Sequence, residues 1–477
     1  MNINFRAILY INGIATCFLS CILTIPVVYD ILTNNSNCIW IFVPSIIATV
    51  FLGGLLVLSC RSNEKISFSR RDIFLLVLTI WLCSSFVSAF PFYVYSGQKL
   101  KFISAMFEAV SGITTTGITV YTNVELLPEG LNLWRFILHF IGGVGIIAIG
   151  VTIFPKIRNE SVHLFQTENS DKTQKLFPRM TKMIQLFIGT YIIFIAIFSC
   201  LLKLFGMNTF DSICHAISAI STGGFSTKNA GVEFYETSSI KLILSIGMFF
   251  GGITFLEIIK CIKNGIKLST LSKQTTGYLK LVVIAICVPI IAEIIFNGEH
   301  ITYGNIVSHI YTTISAITTT GLGFDGHFLQ SNIILLIMAI VGGCSGSTTG
   351  GIKIFRIQIL IAVVQNSLKK VLKPFFVSIP KYQGKRIDET QTNAIILFLS
   401  SLIILFLISC ILLEISLDKT ISEVVYITFS CLFNVGCSMD ISNFPTISKI
   451  ILMIDMIAGR LEVIPMFVIM CKFFWKN

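Results

Sequence analysis

With 477 residues, 54% of them apolar and only 12% charged, the chain carries more hydrophobic surface than a water-soluble core of this length can hide. That excludes an ordinary soluble enzyme and makes the lipid bilayer the expected solvent. The formal net charge of +11 is concentrated in the segments between apolar runs, a positive-inside pattern, so no nucleic-acid partner is implied.

The expected spanning segments, in chain order, are 6–29, 38–60, 72–95, 132–155, 180–205, 238–262, 277–297, 331–365, 391–414 and 446–473. The first run follows a single Arg6 and lacks a small-x-small cleavage site, so it is read as a retained helix. Four shorter apolar stretches remain, at 101–114, 208–221, 304–318 and 419–433, too short to span and of the length of re-entrant half-helices. Basic residues gather in 61–71 (Arg61, Lys65, Arg70, Arg71), 156–182, 260–280 and 369–386, which puts these segments and both termini on the cytoplasmic side. The opposite loops hold Glu125, Glu129, Glu233, Glu236, Glu299, Asp325 and Asp440, either an outer mouth that concentrates cations or ordinary solvated loops. The 14 cysteines sit mostly inside apolar runs without C-x-x-C pairs and read as packing residues.

Each short stretch ends in the same pattern, a Ser followed six residues later by Gly. The copies start at Ser111, Ser218, Ser315 and Ser430. Their ends are Thr114-Thr115-Thr116-Gly117, Ser221-Thr222-Gly223-Gly224, Thr318-Thr319-Thr320-Gly321 and Phe433-Asn434-Val435-Gly436. One such tripeptide means nothing, but four in one topological slot define a repeat of helix, half-helix, Gly loop and helix. The expected fold is an all-α polytopic membrane protein. Its units are an N-terminal two-helix extension (1–60) and four pore repeats at 72–155, 180–262, 277–365 and 391–473.

Non-helical backbone at membrane depth is tolerated only where protein or a watery cavity satisfies it. Four such loops around one axis make a ring whose carbonyls replace the hydration shell of a cation, with Gly allowing the required backbone conformation. The hydroxyls of Thr114, Ser221 and Thr318 are candidate additional ligands at the inner end, where Phe433 breaks the set. Asp211 and Glu423 fall early in their half-helices and are read as helix caps.

These segments, together with Trp134-Arg135, Gly142-Gly143-Val144-Gly145, the run Gly342 to Lys353 and Gly459-Arg460-Leu461-Glu462, carry a resemblance over nearly the whole chain. The sequence resembles the pore-forming membrane subunit of the Trk/Ktr/HKT superfamily of potassium transporters, and within it the bacterial Trk type. Cys437-Ser438 departs from the Pro-Gly common there. The resemblance implies potassium uptake across the bacterial cytoplasmic membrane, driven by the membrane potential. Potassium is then bound at Thr114 to Gly117, Ser221 to Gly224, Thr318 to Gly321 and Asn434 to Gly436. Gly117 in the first copy argues against the sodium-selective plant variant, which has Ser there; a sodium-permeable relative or a symporter coupling potassium to sodium or protons is the alternative. It also implies a homodimer, and a cytosolic ring of nucleotide-binding regulatory subunits.

The segment Cys344-Ser345-Gly346-Ser347-Thr348-Thr349-Gly350-Gly351 interrupts the apolar run 331–365 and is either a packing kink or, as the resemblance implies, an intramembrane gate. Arg460, expected at the middle of the last span, is either half of an ion pair with Glu462 or Asp455 or, by resemblance, an electrostatic latch beside that loop. Arg135, Lys353, Arg356, Glu257 and Glu293 also fall in or near spans; Lys353 and Arg356 are long enough simply to snorkel to the cytoplasmic face, and no role is assigned to them. No G-x-S-x-G or H-E-x-x-H motif supports a membrane enzyme, and no catalytic cofactor is expected.

Overall fold

The structure, a computed structural model, describes residues 3–33, 38–61, 68–95, 100–152, 180–235, 237–265, 271–297, 302–323, 333–373 and 379–475. Most of the basic segment 156–182, with Lys65, Glu236, Glu299 and Asp325, lies outside the described residues.

Among the described residues the protein is almost wholly helical. An N-terminal antiparallel pair forms from Phe5–Ile22, continued by Thr24–Leu32, and Ile39–Cys60. Small residues let these backbones meet: Gly13 faces the Gly53 carbonyl, and a side chain at either position would strike the opposite helix. Among the described residues six helices are long and apolar enough to cross a bilayer: Phe5–Leu32, Ile39–Cys60, Arg71–Val94, Ile184–Leu204, Lys273–Ile295 and Glu389–Ser416. Their outer faces present Trp40, Leu58 and Ile415, each 77–80% exposed, as a hydrocarbon solvent permits.

Two spans expected to be continuous are broken. Ser238–Gly251 and Phe255–Asn264 form the span 238–262, but they bend by 99° across Gly252–Thr254. The last span stops at Arg460, turns through Glu462 and Val463, both at positive φ, and resumes as Ile464–Met470. Arg460 therefore caps a helix end rather than sitting mid-span. The negative end of the helix dipole favours a cation there.

Four half-helices, Phe102–Ile113, Thr209–Ile220, Tyr303–Ile317 and Ile421–Leu432, follow spanning helices and precede Glu129–Thr152, Ser238–Gly251, Ile333–Val341 and Thr446–Arg460. Three of the four starts carry side-chain caps; the first, at Lys101, has none. Asn208 accepts the Asp211 N–H at 2.6 Å, Thr302 accepts that of Asn305, and Thr420 with Glu423 forms a reciprocal capping box. Asp211 and Glu423 thus serve the helix ends, and Asp211 also accepts from the Tyr235 hydroxyl at 2.6 Å and pairs with Lys228 at 3.6 Å. The basic segment 369–386 holds a two-residue hairpin, Lys381–Tyr382 paired with Lys385–Arg386.

Candidate functional site

All four half-helices end in the same hydrogen-bonded motif. The carbonyl of the pattern serine accepts an N–H from five residues on: Ser111 from Thr116 at 3.0 Å, Ser218 from Gly223 at 2.8 Å, Ser315 from Thr320 at 2.9 Å and Ser430 from Val435 at 2.9 Å. Inside each of these, a second bond closes from Thr115 to Gly112, Thr222 to Ala219, Thr319 to Ala316 and Asn434 to Cys431. This is a Schellman termination, whose left-handed residue is ordinarily Gly. Here it is Thr115 (φ 53°), Thr222 (51°), Thr319 (53°) and Asn434 (53°). A β-branched residue held there costs roughly 1–2 kcal/mol, strain of the kind that persists where surrounding structure enforces it.

Two residues later the chain turns again at Gly117, Gly224, Gly321 and Gly436, with φ between 77° and 86°. These glycines are needed for contact as well as for conformation. A side chain on Gly117 would meet the carbonyl oxygen of Gly223; on Gly224, that of Thr320; on Gly321, that of Val435; and on Gly436, that of Thr116. The sequence of contacts runs from repeat one to two, three, four and back to one. The four segments therefore close a single ring too tight for any side chain between neighbours.

The expected hydroxyls take a common pose at the inner ends of the loops. Thr114 donates to Val110 at 2.7 Å, Ser221 to Ile217 at 2.6 Å and Thr318 to Ile314 at 2.7 Å. Their protons are thereby turned back along the half-helices, and the Thr114 and Thr318 oxygens also meet the hydroxyls of Thr116 at 2.8 Å and Thr320 at 2.7 Å. In the fourth copy Phe433 instead packs its ring on Phe429, centroids 4.7 Å apart.

A buried ion pair braces the exits of the first two loops. Glu108 and Arg135 meet at 2.8 Å, both 1% or less exposed. Glu108 also accepts from Val120 N–H at 2.9 Å and from the Thr119 hydroxyl, just after Gly117, while Arg135 reaches the Ser226 carbonyl at 3.3 Å, just after Gly224. Sequence reasoning gave this pair no role, because the residues lie on different helices. A legible signal was available in glycines: Gly142, Gly251 and Gly459 on the second helices of three repeats press on the Ile113, Ile220 and Leu432 carbonyls at the half-helix ends.

The interrupted run forms a loop between Ile333–Val341 and Ile354–Leu372, pinched at its neck by Ile352 N–H to Ile340 at 2.9 Å and Ile354 N–H to Gly343 at 3.1 Å. Its tip reaches elements of the second, third and fourth repeats. Cys344 and Thr348 donate their N–H groups to Gly252 and Gly251. The Thr348 hydroxyl donates to Ile220 and Gly251, each at 3.1 Å, and accepts from Thr222. Gly350 N–H donates to the Thr319 hydroxyl at 2.7 Å, and Gly350 lies against the Phe433 carbonyl. Ser347 joins Cys344 and Thr349 within the loop, and the Ser345 carbonyl accepts from Thr254. Gly346 and Gly351 supply positive φ at its two turns.

Arg460 donates to the Thr348 carbonyl at 2.6 Å and to the Gly142 carbonyl at 3.2 Å. The ion-pair expectation is corrected: Glu462 pairs with Arg356, and Asp455 accepts from Ser409 at 2.7 Å, while no carboxylate among the described residues pairs with Arg460. The helix ends at Arg460, and Glu462 lies in the positive-φ turn beyond it, where its carboxylate meets Arg356 instead. Lys353 and Arg356 do not snorkel either. Lys353 is buried with its ammonium on Thr349, and Arg356 lies 4.1 Å from the Phe398 ring centroid as well as on Glu462.

An all-helical membrane protein in which four re-entrant loops close one ring belongs to the pore-loop class of transport proteins. Within that class the chain is a member of the TrkH family of cation transport proteins, whose family model matches residues 41–283 and 329–476. It is 28% identical over 486 residues to the Trk system potassium uptake protein TrkG of Escherichia coli, covering 99% of both chains. The Trk system potassium uptake protein TrkI of Halomonas elongata is 27% identical over 425 residues, 86% of this chain and 85% of that one. The fold matches the crystal structure of the potassium transporter TrkH from Vibrio parahaemolyticus with a TM-score of 0.89, covering 99% of this chain and 100% of that chain at 24% identity.

Proposed function

We propose that this protein takes up potassium through the ring formed by Thr114–Gly117, Ser221–Gly224, Thr318–Gly321 and Asn434–Gly436. The potassium uptake proteins it resembles over nearly their whole length support the substrate. The closed circuit of glycine-to-carbonyl contacts is the observation that carries the mechanism. Backbone oxygens held at fixed spacing substitute for the water around a dehydrating cation, and the half-helix C-termini add their negative dipole ends.

The loop Cys344–Gly351 acts as the gate, in its closed position, because its tip is tied to the underside of the ring by Thr222 and Thr319. Arg460 latches it and places an unpaired positive charge below the ring, opposing entry of a cation until the loop moves. The protein is assigned to the bacterial inner membrane as a multi-pass homodimer, both termini cytoplasmic, opened by a cytosolic nucleotide-binding ring that docks on the basic segments.

The test is ion uptake into liposomes holding the purified chain, with the potential imposed independently of the sodium and proton gradients. Potassium entry that follows the potential alone, with sodium largely excluded, is expected. Uptake that requires a sodium or proton gradient would replace the reading with a symporter, and equal sodium entry would replace it with an unselective relative.

A further inference from the structure

The second ring segment differs from the others by one side chain. Where Thr116, Thr320 and Val435 stand just before their glycines, repeat two has Gly223. Unlike Gly224, Gly223 has no positive φ, so its backbone conformation does not require glycine. A neighbour does: the imidazole of His139 occupies the place, and a side chain on Gly223 would overlap its Nδ1.

His139 belongs to repeat one. On helix Glu129–Thr152 it lies one turn beyond Arg135 and one turn before Gly142, so these three residues share the face turned to the ring. The imidazole is fully buried and stacks on Phe225, centroids 4.3 Å apart and planes within 14°. Phe225 immediately follows Gly224, its carbonyl accepts the Ser218 hydroxyl at 2.9 Å, and the Arg135 guanidinium lies 4.0 Å from its ring centroid. Neither imidazole nitrogen has a hydrogen-bond partner among the described residues. Burial of a polar ring without partners is unfavourable, so packing alone does not account for histidine here. The peptide that it backs carries the oxygen facing Gly117, the junction between the first and second ring segments.

We infer that His139 is a positioning residue for cation selectivity: a repeat-one imidazole stands in for the side chain that repeat two lacks at Gly223 and fixes the carbonyl at that corner of the ring. The inference rests on the reading of the ring as the ion filter.

The experiment compares potassium-to-sodium permeability ratios in liposomes for His139→Ala, Gly223→Ala, the double variant His139→Ala with Gly223→Thr, and Gly224→Ser, each scaled to folded protein by thermal unfolding in detergent. His139→Ala and Gly223→Ala are expected to lower the ratio severalfold, and the double variant to recover most of it, since threonine refills the space as it does in repeats one and three. A merely structural histidine would lower the yield of folded protein and leave the ratio unchanged. If Gly224→Ser loses selectivity while His139→Ala keeps it, the inference is overturned and the filter stands. If neither changes the ratio, the filter reading falls and the inference with it. A loss that the double variant does not recover also overturns it. Should His139→Ala fail to fold, Gly223→Ala examines the same contact from the other side, and an unchanged ratio there refutes it.

Discussion

The guanidinium of Arg460 donates to the carbonyl of Thr348, 112 residues earlier in the chain, at 2.6 Å. One charged side chain thereby ties the end of the last repeat's helix to the loop of the third. Replacing Arg460 by Gln removes the charge and shortens the reach, so potassium flux at fixed potential should rise severalfold. A charged hydrogen bond contributes about 1.5–3 kcal/mol, and thermal unfolding should register a loss of that order. No carboxylate is orphaned, because Glu462 keeps Arg356. Flux per folded molecule that stays level or falls would dismiss the latch.

Thr348→Val keeps the shape of the tip but removes the hydroxyl shared by Ile220, Gly251 and Thr222. The loop should lose about 1 kcal/mol of its attachment, raising basal flux modestly with the potassium-to-sodium ratio intact. Shortening Ser345–Gly350 should raise it further. Equal flux in the shortened and parent proteins would show that this segment is a packing kink.

The four ring glycines should differ in tolerance. Serine at Gly117, Gly224 or Gly321 collides with a neighbouring carbonyl and must also hold positive φ, at about 1–2 kcal/mol for the backbone alone. At Gly436 the nearest oxygen, of Thr116, is 2.8 Å from the added carbon, the loosest of the four contacts. Permeability ratios measured in liposomes should therefore fall for all four variants and least for Gly436→Ser. Ratios equal to the parent in every case would remove the ring from the permeation path.

Glu108→Gln leaves Arg135 buried without its carboxylate, a loss of about 3–5 kcal/mol. Since Glu108 and Arg135 hold the exits of the first and second ring segments, selectivity should fall along with thermal stability. A stable variant of unchanged selectivity would mean that the pair does not brace the ring.

Much of this architecture was legible because it is local. The length of Phe102–Ile113 and its three counterparts, and the Gly, Ser and Thr content of the Cys344 to Gly351 segment, are properties of short windows. What escaped depends on partners distant in the chain or on conformations that composition contradicts. Thr115, Thr222 and Thr319 occupy a backbone region that threonine avoids, so nothing in their type announces it. At the 99° bend after Gly251, the Gly252 and Gly251 carbonyls accept the Cys344 and Thr348 N–H groups, a pairing across more than ninety residues. Arg460 invited a carboxylate partner and found backbone carbonyls, which carry no sequence signature.

The circuit of glycine contacts has a further consequence for how the protein is made. Asn434 donates to the Thr116 hydroxyl across 318 residues, and Gly436 faces the Thr116 carbonyl, so the final junction joins the first repeat to the last. At about 5–20 residues per second, the ribosome leaves the first segment without its neighbour for on the order of tens of seconds. During that interval the strained turn at Thr115 has no closed ring to enforce it, and the membrane holds an unfinished arc. On the proposed reading of the ring as the ion path, connectivity itself then guards against leakage through partial products, since the ring closes only when the fourth repeat is in place.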